Sequence, residues 1–246
     1  MKIYKSIQRG DFHTNHCEDA LLSTKIGENK VLLAVMDGCS MGTESHFAST
    51  LFAKILKKIS KELFYTEFLT PQEDTLQKVL YNIMKSLFQE LKTIKNQLNL
   101  ETTELLSTII LDIYDKNTKQ AEVIAIGDGL IVYDGKITEF EQEDKPDYFA
   151  YHLQEDFDIW YDNFDQKLSL KNIEDISIMT DGIYTFKRLG KTTKYEETHK
   201  MVQYLAIDQS DTPHEDILKG KMISLEKERS LRPMDDLAII RIINHQ

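Results

Sequence analysis

Cysteine is nearly absent. The 246-residue chain holds two, Cys17 and Cys39, too few for a disulfide-stapled scaffold, so the expected setting is a reduced, cytoplasmic one. A Cys17–Cys39 disulfide is the alternative. Long apolar runs are missing too. No stretch reaches the ~20 residues that a membrane span requires, and the opening MKIYKSIQRGD lacks the apolar middle of a signal peptide. Positive charge is also short, with 30 Lys and Arg against 41 Asp and Glu and a formal net charge of −11. That balance argues against nucleic acid as the main partner. There is no internal repeat, low-complexity tract or linker, and neither a G-x-S-x-G nor a P-loop motif. One domain spanning residues 1–246 is expected, without partner nucleic acid or membrane, and monomeric.

What is present is ordinary globular composition, 41% apolar and 29% charged, in a chain long enough to bury a full core. Residues 30–42, KVLLAVMDGCSMG, show the feature around which the rest is arranged. An apolar run breaks abruptly into Asp37-Gly38, which reads as a buried strand ending in a carboxylate and a close-approach glycine. The pattern returns where ISIM at 176–179 leads through Thr180 into Asp181-Gly182. Asp235-Asp236 precede a third apolar run, LAIIRII, and Glu18-Asp19 and Asp128 add further acids beside suspected strands. A lone Asp-Gly is most simply a turn. Repetition at successive strand ends is what suggests convergence.

The coarse pattern along the chain is as follows. An edge strand is expected at 2–9, then a hairpin of 20–26 with 31–36. A helix follows with Phe47, Leu51, Phe52, Ile55, Leu56, Ile59 and Leu63 at helical spacing. Thr70-Pro71-Gln72-Glu73 reads as a capping box that opens a second helix, striped by Leu76, Leu80, Ile83, Leu87, Leu91, Ile94 and Leu98. Strands at 108–114, 121–126, 130–133 and 136–140 read as one antiparallel meander, the last two joined by an Asp134-Gly135 turn. Residues 141–170 read as an irregular loop or short helical insertion, 175–179 as a strand and 194–207 as a helix. Thr212-Pro213-His214-Glu215 reads as a second capping box, and 237–243 as a buried closing strand. Clustered antiparallel strands with helices in separate blocks predict an α+β layered sandwich with helices outside the sheets.

Converging carboxylates cannot all ionise without a cation. All-oxygen ligands favour magnesium or manganese over zinc, and two such ions ~3.5–4 Å apart activate water and clamp a phosphate.

In order, Cys17-Glu18-Asp19-Ala20, Asp37-Gly38 with Gly42, Leu106-Ser107-Thr108, Ile126-Gly127-Asp128, Thr180-Asp181-Gly182 and Asp235-Asp236 resemble the motifs of the metal-dependent serine/threonine protein phosphatases of type 2C. The resemblance implies a four-layer αββα sandwich, two antiparallel sheets flanked by helices, and hydrolysis of phosphoserine or phosphothreonine in a phosphorylated protein substrate. It implies two Mg2+ or Mn2+ ions, with Asp37 bridging them, the Gly38 carbonyl on one, and Asp181 and Asp235 on the other. Glu18 and Asp19 would orient metal-bound waters. The pattern alone does not separate Asp235 from Asp236; Asp235 is chosen because the family's ligand is the first of its pair.

Three departures point to a divergent, bacterial-type member. Thr14, beside His13, stands where many members carry a phosphate-gripping arginine, and His13 is the candidate substitute. Cys39 stands where some carry an acid-donating histidine. Thr185 replaces an acidic residue, so a third ion with Asp128 is not expected. Against the enzyme stand two alternatives, a catalytically degenerate phosphatase-like binding or regulatory module, and a hydrolase of small phosphate esters.

Overall fold

The computed structural model describes all residues except 43, 70–73, 141–145, 190–193, 211–215 and 245–246. Among the described residues, thirteen strands and five α-helices follow one another as β1 Lys2–Gln8, β2 Ala20–Lys25, β3 Lys30–Met36, α1 Ser45–Leu69, α2 Leu76–Leu98, β4 Ile109–Asp115, β5 Gln120–Ile126, β6 Gly129–Tyr133, β7 Lys136–Phe140, α3 Phe157–Asn163, β8 Lys167–Leu170, β9 Asp175–Met179, β10 Lys187–Arg188, β11 Lys194–Tyr195, α4 Thr198–Val202, α5 Ile217–Arg229, β12 Leu231–Arg232 and β13 Leu237–Ile243.

Two five-stranded sheets carry the fold, in the orders β1-β13-β9-β6-β7 and β2-β3-β4-β5-β8, and every pairing is antiparallel. Their strands are apolar on both faces because both faces are covered. Leu33, Val35, Ile110 and Val123 meet Ile131, Ile178 and Ile240 between the sheets. On the outer face of the second sheet, Leu32, Ala34 and Leu111 pack under Phe52 and Leu56 of α1 and Ile83 and Leu87 of α2. On the outer face of the first, Met179 and Ile239 pack under Met201, Leu218 and Leu225 of α4 and α5. This is the four-layer α+β sandwich expected from the sequence.

Four details differ from the sequence reading. The meander is divided. β4 and β5 lie in one sheet and β6 and β7 in the other, because Gly127, at φ +92°, turns the chain across the sandwich in a conformation open to glycine. The end of the 141–170 segment is a strand, β8, which pairs with β5; its four residues are too few to show a period. The described remainder of the segment includes a one-turn 3-10 helix, Phe149–His152, and α3, whose Phe157 and Tyr161 pack against Tyr81 and Phe88 of α2 while Trp160 packs on Phe149. Lys194–Tyr195 is not helix but part of a small third sheet, β11-β10-β12, and the helix proper starts at Thr198 and runs into a π-helical turn, Gln203–Ile207. Finally, α2 is capped by Thr75, whose side chain accepts from the Lys78 amide, and α5 by Asp216. Both expected capping boxes, 70–73 and 212–215, lie outside the described residues, and each helix opens after them.

Candidate functional site

Strand register gathers the acids. Ala20 sits opposite Met36, so Asp19, just before β2, and Asp37, just after β3, are neighbours. Met179 sits opposite both Leu130 and Ile239, which brings Asp181 beside Asp128 and the Asp235-Asp236 pair. All these positions lie at the same edge of the sandwich, where strands of both sheets end.

Backbone contacts fix each of them. The Asp37-Gly38-Cys39 turn is laced to 106–108: Cys39 N donates to Leu106 O (3.1 Å), Thr108 N to Asp37 O (2.9 Å), and Gly38 N to Glu18 O (3.2 Å). These bonds use the groups on either side of Gly38 and not its own carbonyl. Gly182 packs so closely on the last motif that a Cβ there would stand 1.9 Å from the Asp236 carbonyl oxygen; only glycine allows the two turns to touch. Thr185 completes this joint. Its hydroxyl donates to Gly182 O (2.8 Å) and accepts from the amides of Met234 (3.1 Å) and Asp235 (3.0 Å). A carboxylate at 185 would lack the proton for the first bond.

Asp235 and Asp236 separate cleanly. Asp236 is buried, with one oxygen accepting from Gly10 N (2.7 Å) and the other from Glu18 N. It ties the 10–18 loop down. The Asp235 side chain is 39% exposed; its Oδ1 meets the Asp236 amide (2.8 Å) and His13 Nε2 (3.0 Å). His13 is therefore turned inwards. Its other nitrogen, Nδ1, faces Asp236 Oδ2 (3.2 Å) and Glu18 Oε1 (3.5 Å), so it bridges carboxylates and does not present a free edge to a phosphate. Thr14 is exposed, and its carbonyl accepts from Arg9 (2.9 Å). Glu18 also accepts from Ser40 Oγ (2.8 Å).

The electrostatics are those of a crowded acid site. Asp19 is buried, accepts from Thr180 Oγ1 (2.7 Å) and shares a hydrogen bond with Asp37. Burial pushes its carboxyl up to about 8, Thr180 and the Asp37 bond oppose the rise, and Asp236 and Asp181 add to it. Burial, then the charges of Asp19 and Asp181, hold Asp37 well above the usual carboxylate range. Asp181 is pushed up to about 7 by burial and by Asp128 and Asp235, and Asp128 is raised mainly by burial. One oxygen each of Asp19 and Asp181 is buried with no hydrogen-bond partner among the described residues. Orphaned oxygens among mutually repelling acids fit a hard divalent cation, which would supply the missing contacts. Among the described residues, however, no three acid, imidazole or thiol side chains already converge on one point as ligands. Both cysteines are free thiols, and no disulfide joins them. Burial, with Asp236 and Asp19 nearby, pushes the Cys17 thiol up to about 12.

The sequence pattern did not single out Thr180, Ser40 or Tyr148 for roles here. Thr180 precedes the Asp-Gly it serves, a position that a hydroxyl preference could have flagged. Tyr148 comes from the 141–170 segment and hydrogen-bonds Cys39; nothing in its local sequence announces that contact.

A family model described as "Protein phosphatase 2C" matches residues 9–219. No curated protein matches. Among solved structures, a bacterial serine phosphatase variant superposes with TM-score 0.65 at 13% identity, covering 98% of this chain and 97% of that one. Stp1, a serine/threonine phosphatase from Staphylococcus aureus, gives 0.63 at 12%, covering 100% and 95%. The phosphatase domain and regulatory fragment of SpoIIE from Bacillus subtilis give 0.60 at 18%; the match covers all of this chain and 64% of that longer one. RsbX, solved in complex with magnesium, shares the fold at TM-score 0.54 and 12% identity, with 97% of this chain and 92% of that one covered. At these identities the superpositions show a common fold.

Proposed function

This chain belongs to the protein phosphatase 2C family, and from that premise we propose that it hydrolyses phosphoserine and phosphothreonine in a phosphorylated protein, using two divalent ions, Mg2+ or Mn2+. The observation that carries the proposal is the gathering of Asp19, Asp37, Asp128, Asp181 and Asp235 at one sandwich edge from five separate stretches of chain.

Asp37, the Gly38 carbonyl, Asp181 and Asp235 are the groups that would hold the ions. When bound, two such ions provide hydroxide at neutral pH and neutralise charge on the phosphoryl oxygens. The protein's own groups do the positioning. Asp19, fixed by Thr180, holds Asp37 by their shared hydrogen bond. Thr185 fixes the Asp235 backbone. Glu18, held by Ser40 and His13, faces the same edge and is placed to orient water. Cys39, two residues after Asp37, is engaged by Tyr148, and hydrolysis by water at two metals needs no side-chain nucleophile. Among the described residues no lysine or arginine pairs with these acids, so the bound cations would supply the counter-charge for phosphate. A cytoplasmic, monomeric enzyme of one domain is part of the same proposal.

The test is manganese-dependent hydrolysis of an aryl phosphate. Activity is expected in the wild type and expected to fall to background in Asp37→Asn and Asp181→Asn; retained activity in both rejects the mechanism. Thr14, Cys39 and Thr185, standing where family members carry arginine, histidine and an acidic residue, favour a second reading as a degenerate module that binds without turnover. Calorimetric manganese titration separates the two: binding at two sites supports the enzyme, and no binding supports the module. Relative rates on phosphopeptides and small phosphorylated metabolites separate a protein phosphatase from a small-ester hydrolase.

A further inference from the structure

Beside the acid cluster, and sharing Glu18 and His13 with it, lies an open cleft of about 340 Å3 lined by Phe12, Thr14, His16, Ser40, Ser45 and His46 as well. Its lining holds three imidazoles and one carboxylate. In a chain with a net charge of −11, that composition stands apart from the surrounding acidic surface.

The carboxylate is already occupied, since Glu18 accepts from Ser40 and faces His13. His13 is engaged with Asp235 and Asp236. His16 and His46 are different. Their rings stack with centroids 4.3 Å apart and planes 22° from parallel, and no described residue takes a ring nitrogen of either in a hydrogen bond or ion pair. The stack holds the two rings face to face beside the cleft. Two neighbouring imidazoles whose N–H groups have no partner among the described residues offer a pair of donors for the oxygens of an anion in the cleft. Phe12, 66% exposed at the rim, adds an apolar wall.

A phosphate held at the acid cluster would leave this cleft empty, and its volume has room for a residue of bound peptide, more than one small anion needs. We propose that the cleft is a specificity subsite, in which His16 and His46 receive an acidic residue flanking the phosphorylated serine or threonine. The proposal rests on the phosphatase reading for the phosphorylated residue, and on the cleft alone for its acidic neighbour. Overall negative charge would otherwise disfavour an acidic peptide, so the stacked pair makes an acidic flank acceptable at one place. His16 and His46 are specificity residues and take no part in bond breaking.

Two measurements test it. In the first, kcat/KM is compared within each enzyme for two phosphopeptides that differ only in carrying aspartate or lysine next to the phosphoresidue. The ratio is expected to favour aspartate by about fivefold, the upper range for an exposed charge contact, and to approach one in His16→Gln and His46→Gln. A wild-type ratio at or below one, or a preference unchanged in both variants, overturns the proposal. In the second, the imidazole NMR signals of the wild-type protein are followed during titration with the unphosphorylated aspartate and lysine peptides. Selective shifts of His16 and His46 with the aspartate peptide support the subsite, and equal or absent shifts reject it. This second measurement needs no turnover. A wild type that hydrolyses no phosphate ester therefore removes the phosphatase reading while the peptide titration still decides the cleft.

Discussion

Asp235 and Asp236 are adjacent in sequence and opposite in physical role. Asp236 has both oxygens on backbone amides and is buried, while Asp235 is exposed enough to accept a new partner. Asp236→Asn replaces one acceptor with a donor facing an amide, which leaves a buried N–H unpaired at a cost of about 1–3 kcal/mol. It is expected to lower Tm and loosen the 10–18 loop. Asp235→Asn is expected to leave Tm nearly unchanged and to weaken metal binding, with thermal denaturation and calorimetry as the readouts. A different residue-scale effect belongs to Asp112. It lies fully buried on β4 between Leu33 and Val123, whose side chains face the inter-sheet core, and neither oxygen has a partner among the described residues. Burial, with a smaller contribution from Glu122, pushes its carboxyl up to about 8. A group raised in the folded state is favourable there while protonated and loses that contribution as pH rises through its folded value. Asp112→Asn is therefore expected to gain on the wild type in Tm as pH rises from about 4 to about 8, between the unfolded and folded values of the wild-type acid, and to keep a constant lead above that. Parallel Tm curves across that range would show the acid is not buried in this way.

At the scale of elements, the clearest anchor is Arg241 on β13. It is fully buried, with Nε and Nη2 on Asp175 of β9 (2.9 and 2.6 Å) and further bonds to the carbonyls of Leu205, Ile207 and Asp208 at the π-helical turn. One side chain thus ties two central strands to the helical layer. Arg241→Met strips Asp175 of its guanidinium, leaving it only Gln209, removes the Arg241 donor from the Leu205, Ile207 and Asp208 carbonyls, of which Asp208 keeps Lys221, and is expected to cost about 3 kcal/mol or more in urea unfolding. The long elements were legible in the sequence because their periods are strong: the apolar stripes of α1 and α2 and the unbroken runs of β3, β9 and β13 survive any local ambiguity. What was not legible depends on distant partners. β8 is four residues long and becomes a strand only because β5 offers an edge. β10, β11 and β12 hold two residues each and have no pattern to read. The division of the meander turned on Gly127, whose sign of φ cannot be inferred from the strands it joins. The same limit applies to the site. The acids were visible as strand-end residues, whereas the inward turn of His13, the His16–His46 stack and the Tyr148 contact arise from loops folding over one another.

For the molecule as a whole, the acid edge sets how stability responds to pH and metal. Asp181 at about 7 and Asp19 at about 8 sit far above their unfolded values near 3.9. Their contribution to the metal-free protein is complete below that unfolded value and is lost as pH rises through 7 to 8. The metal-free Tm is expected to fall from about pH 4 to about pH 8 and to level off above that. Ligands must be deprotonated to bind a cation, so the Tm gain from added Mn2+ is expected to grow as pH rises through the same interval. Differential scanning calorimetry with and without chelator reads both, and a metal-induced gain that shrinks with rising pH would contradict the site.

β1 pairs with β13 alone, and β13 lies between β1 and β9. The strand that completes the first sheet is thus the one nearest the far end of the sequence, and it arrives with Asp235 and Asp236 at its head. Until it slots in, β1 has no neighbour, the Gly10 and Glu18 amides lack their acceptor, and the acid edge is open on one side. Cation affinity should therefore be absent from any partly folded species in which β13 is not yet in place, so that a cation added during refolding selects molecules whose first sheet is complete.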